Sequence, residues 1–375
     1  MMVVVSHLRP LLLVDLSQVE HGRAAWSVFY LLTSFGREAV AVFFVISGFL
    51  VGGIAADRFL STRRFSWPQY MVARFSRIYT VLLPALALGW GLDLLGQAAL
   101  PEHGLYDGAG RWFHINSIPD NLFMTDSWRG LVVNVLMLQG IAGEPFGSNG
   151  PLWSLAYEWW YYILWGLCLA ALASEGWGRL VAVALGVLVC WMLPIEFWLA
   201  SVQWLMGAAL GLLMPRLKWR PALWLSTLAF LGALLACRYL AVRGGAEAWS
   251  PWQVNLRHAG LALALCALLW SLGGERDRWM SSAQTRIHHY MAAASYTLYL
   301  THFPLVMALC SVMHAAGLPV LRQQPGWGML LAFAVLLAAC WIWSRMVGRV
   351  FERRTNWVRR TLASLLPDGG ARQVA

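Results

Sequence analysis

The sequence predicts an all-α, polytopic membrane protein: a bundle of about ten transmembrane helices with both termini on the inner side. Three observations predict it. Of 375 residues, 59% are hydrophobic and only 12% are charged, roughly half the charge of a soluble domain. Apolar windows near the roughly 20 residues needed to span a bilayer recur along the whole chain. Most basic residues fall on one alternating set of connections, the bias that keeps positively charged loops inside. The 23 tryptophans lie mostly near segment ends, where interfacial belts form, so anchoring and packing account for most of them.

In chain order the expected spans are 1–16, 36–56, 78–96, 151–173, 179–195, 197–214, 222–241, 256–273, 290–313 and 326–347. The apolar run 129–142 is too short to cross and is expected to lie at the surface or to re-enter. With the N-terminus inside, the inner connections hold Arg58, Arg63, Arg64, Arg74, Arg77, Arg179, Arg216, Lys218, Arg220, Arg276, Arg278 and Arg286, and the C-terminal segment adds more. The formal charge of +10 is thus a matter of topology and calls for no nucleic-acid partner. One long outer segment, about 97–150, carries Glu102, Asp107, Asp120, Asp126 and Glu144 and is too short for a domain of its own. Residues 1–347 therefore read as one transmembrane domain. Residues 348–375 read as a basic inner tail, frayed and resting on anionic lipid.

The first window is irregular, because it contains His7, Arg9, Pro10 and Asp15. Either the first helix begins upstream of Met1, or this segment is buried against its neighbours. The six cysteines, Cys168, Cys190, Cys237, Cys266, Cys310 and Cys340, fall in apolar stretches without metal-ligand spacing. Buried free thiols, and no metal site, are expected.

Chemistry concentrates in a few places. Asn149-Gly-Pro-Leu-Trp153-Ser-Leu-Ala-Tyr-Glu158-Trp-Trp-Tyr161 puts a carboxylate into the first turns of an otherwise lipid-soluble helix. A charge at membrane depth costs several kcal/mol, which makes Glu158 a functional candidate. Pro151 suits the first helical position, with Asn149 or Gly150 as its cap. Ser154 and Glu158 then share a face, with Tyr161 and Tyr162 close below. His7 follows three valines inside an apolar stretch; such an imidazole is costly to charge and can take a proton from a hydroxyl. The alternative is a packed histidine bonded to a backbone carbonyl.

Arg74-Phe-Ser-Arg77 places two guanidinium groups on one helix face at the inner mouth of the third span. Forked donors there match a phosphate-bearing ligand, and equally match lipid headgroups. Ser295, Tyr299 and His302 make a polar stripe that either glues helices together or lines a cavity. Phe43-Phe-Val-Ile-Ser47-Gly48-Phe-Leu50 permits close helix approach, and packing accounts for it. No Gly-rich phosphate loop, serine elbow, CxxC pair or HExxH helix is found.

Taken together and in this order, these segments resemble the membrane acyltransferase-3 family, whose bacterial members O-acylate sugars. The matching pieces are Val3-Val-Val-Ser-His7, Phe43 through Leu50, Arg74-Phe-Ser-Arg77-Ile-Tyr79, Asn149 through Tyr161, and Tyr296-Thr-Leu-Tyr-Leu-Thr-His302-Phe-Pro304. The likeness implies a bundle in the bacterial inner membrane that takes an acyl group, usually acetyl, from cytoplasmic acyl-CoA. It passes the group to a hydroxyl of a surface or exported glycan or a lipid-linked sugar. Carried over by position, His7 and Glu158 are the catalytic pair, and Arg74 and Arg77 bind acetyl-CoA. Asn149, Trp153, Tyr299, His302 and Asp126 are the expected acceptor contacts; Trp112, His114, Asp120, Asn121 and Trp128 are further candidates or simply a solvated loop. One departure stands out. The family carries an arginine upstream of that histidine, and position 7 leaves no room for it. The rival expectation from another class is a transporter or flippase for a lipid-linked sugar, which shares the helices and the intramembrane polar groups but usually shows paired half-repeats. None is visible in this sequence.

Overall fold

A computed structural model describes residues 1–100, 105–106, 127–243, 250–273 and 282–366, with backbone only for 282–294. Helix dominates, and among the described residues there is no β-strand, only the isolated bridges Leu13–Gln323 and Gln139–Gly143. The helices are α1 (Met2–Leu12), α2 (Arg23–Leu32), α3 (Gly36–Ser47), α4 (Ile54–Thr62), α5 (Trp67–Ala99), α6 (Trp128–Val135) and α7 (Trp153–Ala173). They continue as α8 (Gly176–Met192), α9 (Ile195–Leu213), α10 (Leu223–Arg243), α11 (Pro251–Leu272), α12 (Ser282–Ala315), α13 (Trp327–Val350) and α14 (Thr355–Ser364).

Helix covers part of every expected window. By length and composition, seven stretches among the described residues suffice to cross a membrane, counting Arg23–Thr62 as one. α1, with 11 residues, and α8, with 17, are shorter. α7 has the length, but its first turns carry Glu158 and a run of tryptophan and tyrosine. α8 nevertheless looks built for lipid. Val181, Val183, Leu185 and Leu188 are exposed, and Trp177 and Trp191 stand 83% and 84% exposed at its ends, about 21 Å apart along the helix. The run 129–142 forms only the short α6, started by Ser127, whose hydroxyl accepts from the Gly130 N–H.

The chain forms two compact units. The first comprises Met1–Gly36, Val72–Ala156 and Ile287–Ala375; the second comprises Arg37–Met71 and Tyr157–Arg286. In the first, α1 is buried as its brevity demands. Val4, Leu8, Leu11 and Leu12 are at most 1% exposed and pack with Phe303, Val306, Met307 and Cys310 of α12 and Leu336 and Cys340 of α13. Backbone bonds from Arg322 and Gln323 to the Leu11 and Leu12 carbonyls fix its end, and Arg322 pairs with Asp15 at 3.1 Å. Apolar burial at about 25 cal/mol per Å² thus holds a helix too short and too polar to insert by itself.

The second unit is built on a close approach. Between α3 and α4 the helix widens into a π stretch, Gly48–Gly53. A Cβ on Gly48 would stand 1.9 Å from the Trp204 carbonyl oxygen, and one on Gly207 2.0 Å from that of Val45. Glycine at both places lets α3 and α9 touch backbone to backbone. Below them Val45, Leu210, Ala262, Leu265 and Cys266 form a core.

Two expectations are corrected here. Cys168 and Cys190 are exposed, while the other four cysteines are buried, and all six are unpaired. The tail is not wholly frayed: Thr355–Ser364 is helical, and the 3₁₀ turn before it (Glu352–Arg354) is tethered through Glu352.

Candidate active site

His7 sits in the middle of α1 and His302 in α12, both in the first unit. His7 Nδ1 lies 3.0 Å from His302 Nε2. The rings are nearly coplanar, at 2°, with centroids 5.3 Å apart, so they meet edge to edge rather than face to face. The Phe303 ring stands across His7 at 84° and 5.2 Å, which holds the imidazole plane. His302 is fully buried, whereas His7 keeps partial exposure.

The hydrogen bonds fix which nitrogens carry protons. His302 Nδ1 lies 3.0 Å and 2.9 Å from the carbonyl oxygens of Leu298 and Tyr299. Carbonyls only accept, so this nitrogen carries the proton. Its neutral partner Nε2 is then an acceptor, and His7 Nδ1 must donate to it. The neutral His7 ring therefore has its lone pair on Nε2, the form a general base needs. The backbone-carbonyl bonding that the sequence left open for His7 is seen at His302.

The entry to α7 is fastened to α12 within the same unit. Tyr299 donates to the Pro151 carbonyl at 2.5 Å and accepts from Ser154 Oγ. Asn149 Nδ2 donates to the Leu300 carbonyl at 2.8 Å, and Gln139 Nε2 to that of Leu152 at 3.1 Å. The expected cap at Asn149 is absent: its amide reaches α12, and a 3₁₀ turn (Gly150–Leu152) precedes α7. Nearby, Ser148 donates through both its backbone N–H and its hydroxyl to the buried Asp93 carboxylate. Trp153 is half-buried against Gly140. Asp126, Trp112, His114, Asp120 and Asn121 lie outside the described residues. Trp128 is 71% exposed.

The arginine pair lies on α5. Arg77 forms an ion pair with Glu352 at 2.8 Å and sits over the Tyr296 ring at 4.9 Å, while its side chain keeps 48% exposure. Glu352 also accepts from Thr297 Oγ1 at 2.7 Å. One carboxylate thus links the arginine to the helix that carries His302. Arg74, one turn earlier, is half-buried.

Glu158 belongs to the second unit. It is 5% exposed, and its Oε1 accepts from Ser47 Oγ at 2.6 Å and from the Tyr162 hydroxyl at 2.5 Å. Trp204 Nε1 donates to Ser47 Oγ at 3.2 Å, so donors converge on the carboxylate in series. Packing accounts for Gly48 but not for its neighbour Ser47, which is a hydrogen-bonding residue. Sequence reasoning also passed over Glu352 and Thr297. The legible signal for Ser47 was a hydroxyl set in an unbroken apolar run, cheaper there than a carboxylate but still in need of a partner.

Several helices long and apolar enough to cross a membrane, with polar side chains buried among them, mark a multi-pass membrane protein. The chain belongs to the acyltransferase domain family (Acyl_transf_3), whose model matches residues 1–345. Among curated proteins it is similar to acyltransferase MdmB of Streptomyces mycarofaciens, 29% identical over 140 residues, which is 36% of this chain. The match spans only 29% of that relative's length. No solved structure matches. Among the described residues no group of three or more His, Cys, Asp or Glu could hold a metal ion.

Proposed function

We propose that the protein is a multi-pass O-acyltransferase of the bacterial inner membrane. It moves an acyl group, acetyl by preference, from cytoplasmic acyl-CoA to a hydroxyl of a surface or exported glycan. The observation that carries this reading is the His7–His302 pair, whose carbonyl-anchored tautomer puts the basic lone pair on His7 Nε2. The full reading has ten spans within one domain over 1–347, both termini inside, and the arginine bias supports that orientation.

In the reaction His7 Nε2 takes the proton from the acceptor hydroxyl as its oxygen attacks the thioester carbonyl carbon. The new C–O bond forms, the C–S bond breaks, and the departing thiolate takes the proton back from Nε2. While the ring is charged, its Nδ1–H still points at His302 Nε2, so the second imidazole holds the imidazolium in place. General-base help of this kind contributes about 10²–10⁴-fold, equivalent to roughly 3–5 kcal/mol of barrier. Arg74 and Arg77 bind the phosphates of CoA, with Arg77 exchanging Glu352 for a phosphate oxygen; its half-exposed guanidinium suits that exchange. Asn149, Trp153 and Asp126 remain the proposed acceptor contacts. Tyr299 and His302 act at one remove, as positioning residues. Glu158 is proposed to act through Ser47 and Tyr162, as an orienting carboxylate rather than on the reacting atoms.

The test uses purified protein with radiolabelled acetyl-CoA. Release of CoA that depends on added acceptor, and is lost in His7→Ala protein of normal abundance, is the expected result. Intact acetyl-CoA alongside movement of a lipid-linked sugar across the bilayer would make the protein a carrier instead.

A further inference from the structure

A carboxylate in the second unit sits among cations without pairing with any of them. Glu38, in the first turn of α3, is 4% exposed, and its Oε2 has no hydrogen-bond partner among the described residues. No ion pair involves it there.

Helix packing gathers basic groups at its level. α3 and α11 pack together through Val42, Val45, Ala262 and Leu265, and one turn back along each helix lie Glu38 and His258. α10 and α11 are tied by two reciprocal bonds: Arg257 Nη1 donates to the Cys237 carbonyl at 3.3 Å, and Cys237 Sγ to the Arg257 carbonyl at 3.2 Å. Arg238, the next residue after Cys237, lies within electrostatic reach of Arg257. Arg37, Arg238 and Arg257 all act on the Glu38 charge, and Arg37 and Arg257 act on His258.

Three guanidinium groups lie within electrostatic reach of one carboxylate in helices apolar enough to cross a membrane. Ordinary anchoring to headgroups explains arginines at span ends. It does not explain a buried acid beside them, since a carboxylate repels a headgroup phosphate and is costly to bury. A ligand that brings both an anion and a hydroxyl resolves both conflicts. Its phosphate takes the forked donors of the arginines, and its hydroxyl donates to Glu38 Oε2. We propose that Arg37, Glu38, Arg238, Arg257 and His258 form a binding site for a hydroxyl-bearing phosphate ester, a polyol phosphate. The ligand is either a phosphoglycerol headgroup or a soluble sugar phosphate. The site stands on the second unit alone and is independent of the reaction assigned to His7.

The experiment uses the full chain in two settings. In nanodiscs of phosphatidylglycerol, phosphatidic acid and phosphatidylcholine in equal parts, native mass spectrometry counts the lipids retained. In lipid-free detergent, calorimetry measures glucose 1-phosphate against glucose. The expected result is retention of phosphatidylglycerol over phosphatidylcholine, or binding of glucose 1-phosphate over glucose, by about tenfold. The first result identifies a lipid headgroup and the second a soluble ester. Arg238→Gln should lose about tenfold of that binding. Should Arg238→Gln fail to fold, Arg37→Gln, at an exposed position, reads the same effect. Glu38→Gln should keep phosphate binding and lose the preference for phosphatidylglycerol over phosphatidic acid, or for glucose 1-phosphate over inorganic phosphate. His7→Ala should bind as the parent does. Equal retention of all three lipids with no glucose 1-phosphate binding, or unchanged binding in both arginine variants, overturns the site. An unchanged preference in Glu38→Gln overturns its hydroxyl half.

Discussion

The two units hide polar networks of opposite character in apolar helices. In the first, two imidazoles are joined in line, and the proton order imposed by the Leu298 and Tyr299 carbonyls ends on a basic nitrogen of His7. In the second, Ser47 and Tyr162 both spend their protons on one oxygen of Glu158, and Trp204 supports Ser47 from behind. Both networks sit in the kind of position that marks a functional residue in a membrane helix. What separates them is the direction in which the hydrogen bonds run. Donors converging on a carboxylate make a strut; donors leading away from an imidazole make a base.

That contrast can be broken by substitution, and the largest effect should come from the base. His7→Ala should lower the rate of acyl transfer about 10²–10⁴-fold with the protein still inserted; a rate near the parent's would remove the base from the account. His302→Gln should follow at about 10²-fold, because it releases the ring that orients His7 without touching the reacting atoms. Its signature is a fall in kcat with an unchanged KM for acyl-CoA, and equal losses in both would point to a general structural defect. Glu158→Gln should act mainly on folding, costing about 1–3 kcal/mol as the Ser47 and Tyr162 hydroxyls lose their charged acceptor. A drop in kcat as large as that of His7→Ala, without loss of thermal stability, would move Glu158 into the reaction.

The smallest effect belongs to the pair of Arg77, half-exposed, and Glu352, whose side chain is 9% exposed. Glu352→Gln should change stability by no more than about 1 kcal/mol and lower the KM for acyl-CoA, since Arg77 no longer has to give up a carboxylate. A raised KM would return Arg77 to headgroup anchoring.

Much of this was legible in the sequence, and unevenly so. The helix windows could be read because apolar length is a local property, and His7 and Glu158 because an ionisable group in such a window is conspicuous. The burial of α1 was one of two readings that its short and polar window allowed. The partners could not be read. Nothing local ties His7 to His302 across 295 positions of chain, and Glu352 looked like one acid in a basic tail. Ser47 reads as a packing residue because, like Gly48, it is small enough to permit close helix approach; only the fold brings Glu158 under its hydroxyl. Asn149 looked like a cap because cap preference is local, whereas its amide answers a carbonyl on α12.

The most direct test of the central claim is the protonation of the two imidazoles. Solid-state nitrogen NMR of histidine-labelled protein in lipid, with His7 assigned by its loss in His7→Ala, reads each ring nitrogen separately. The account predicts a neutral His7 protonated on Nδ1 and bare on Nε2, beside a His302 protonated on Nδ1. A His7 protonated on Nε2 would contradict it.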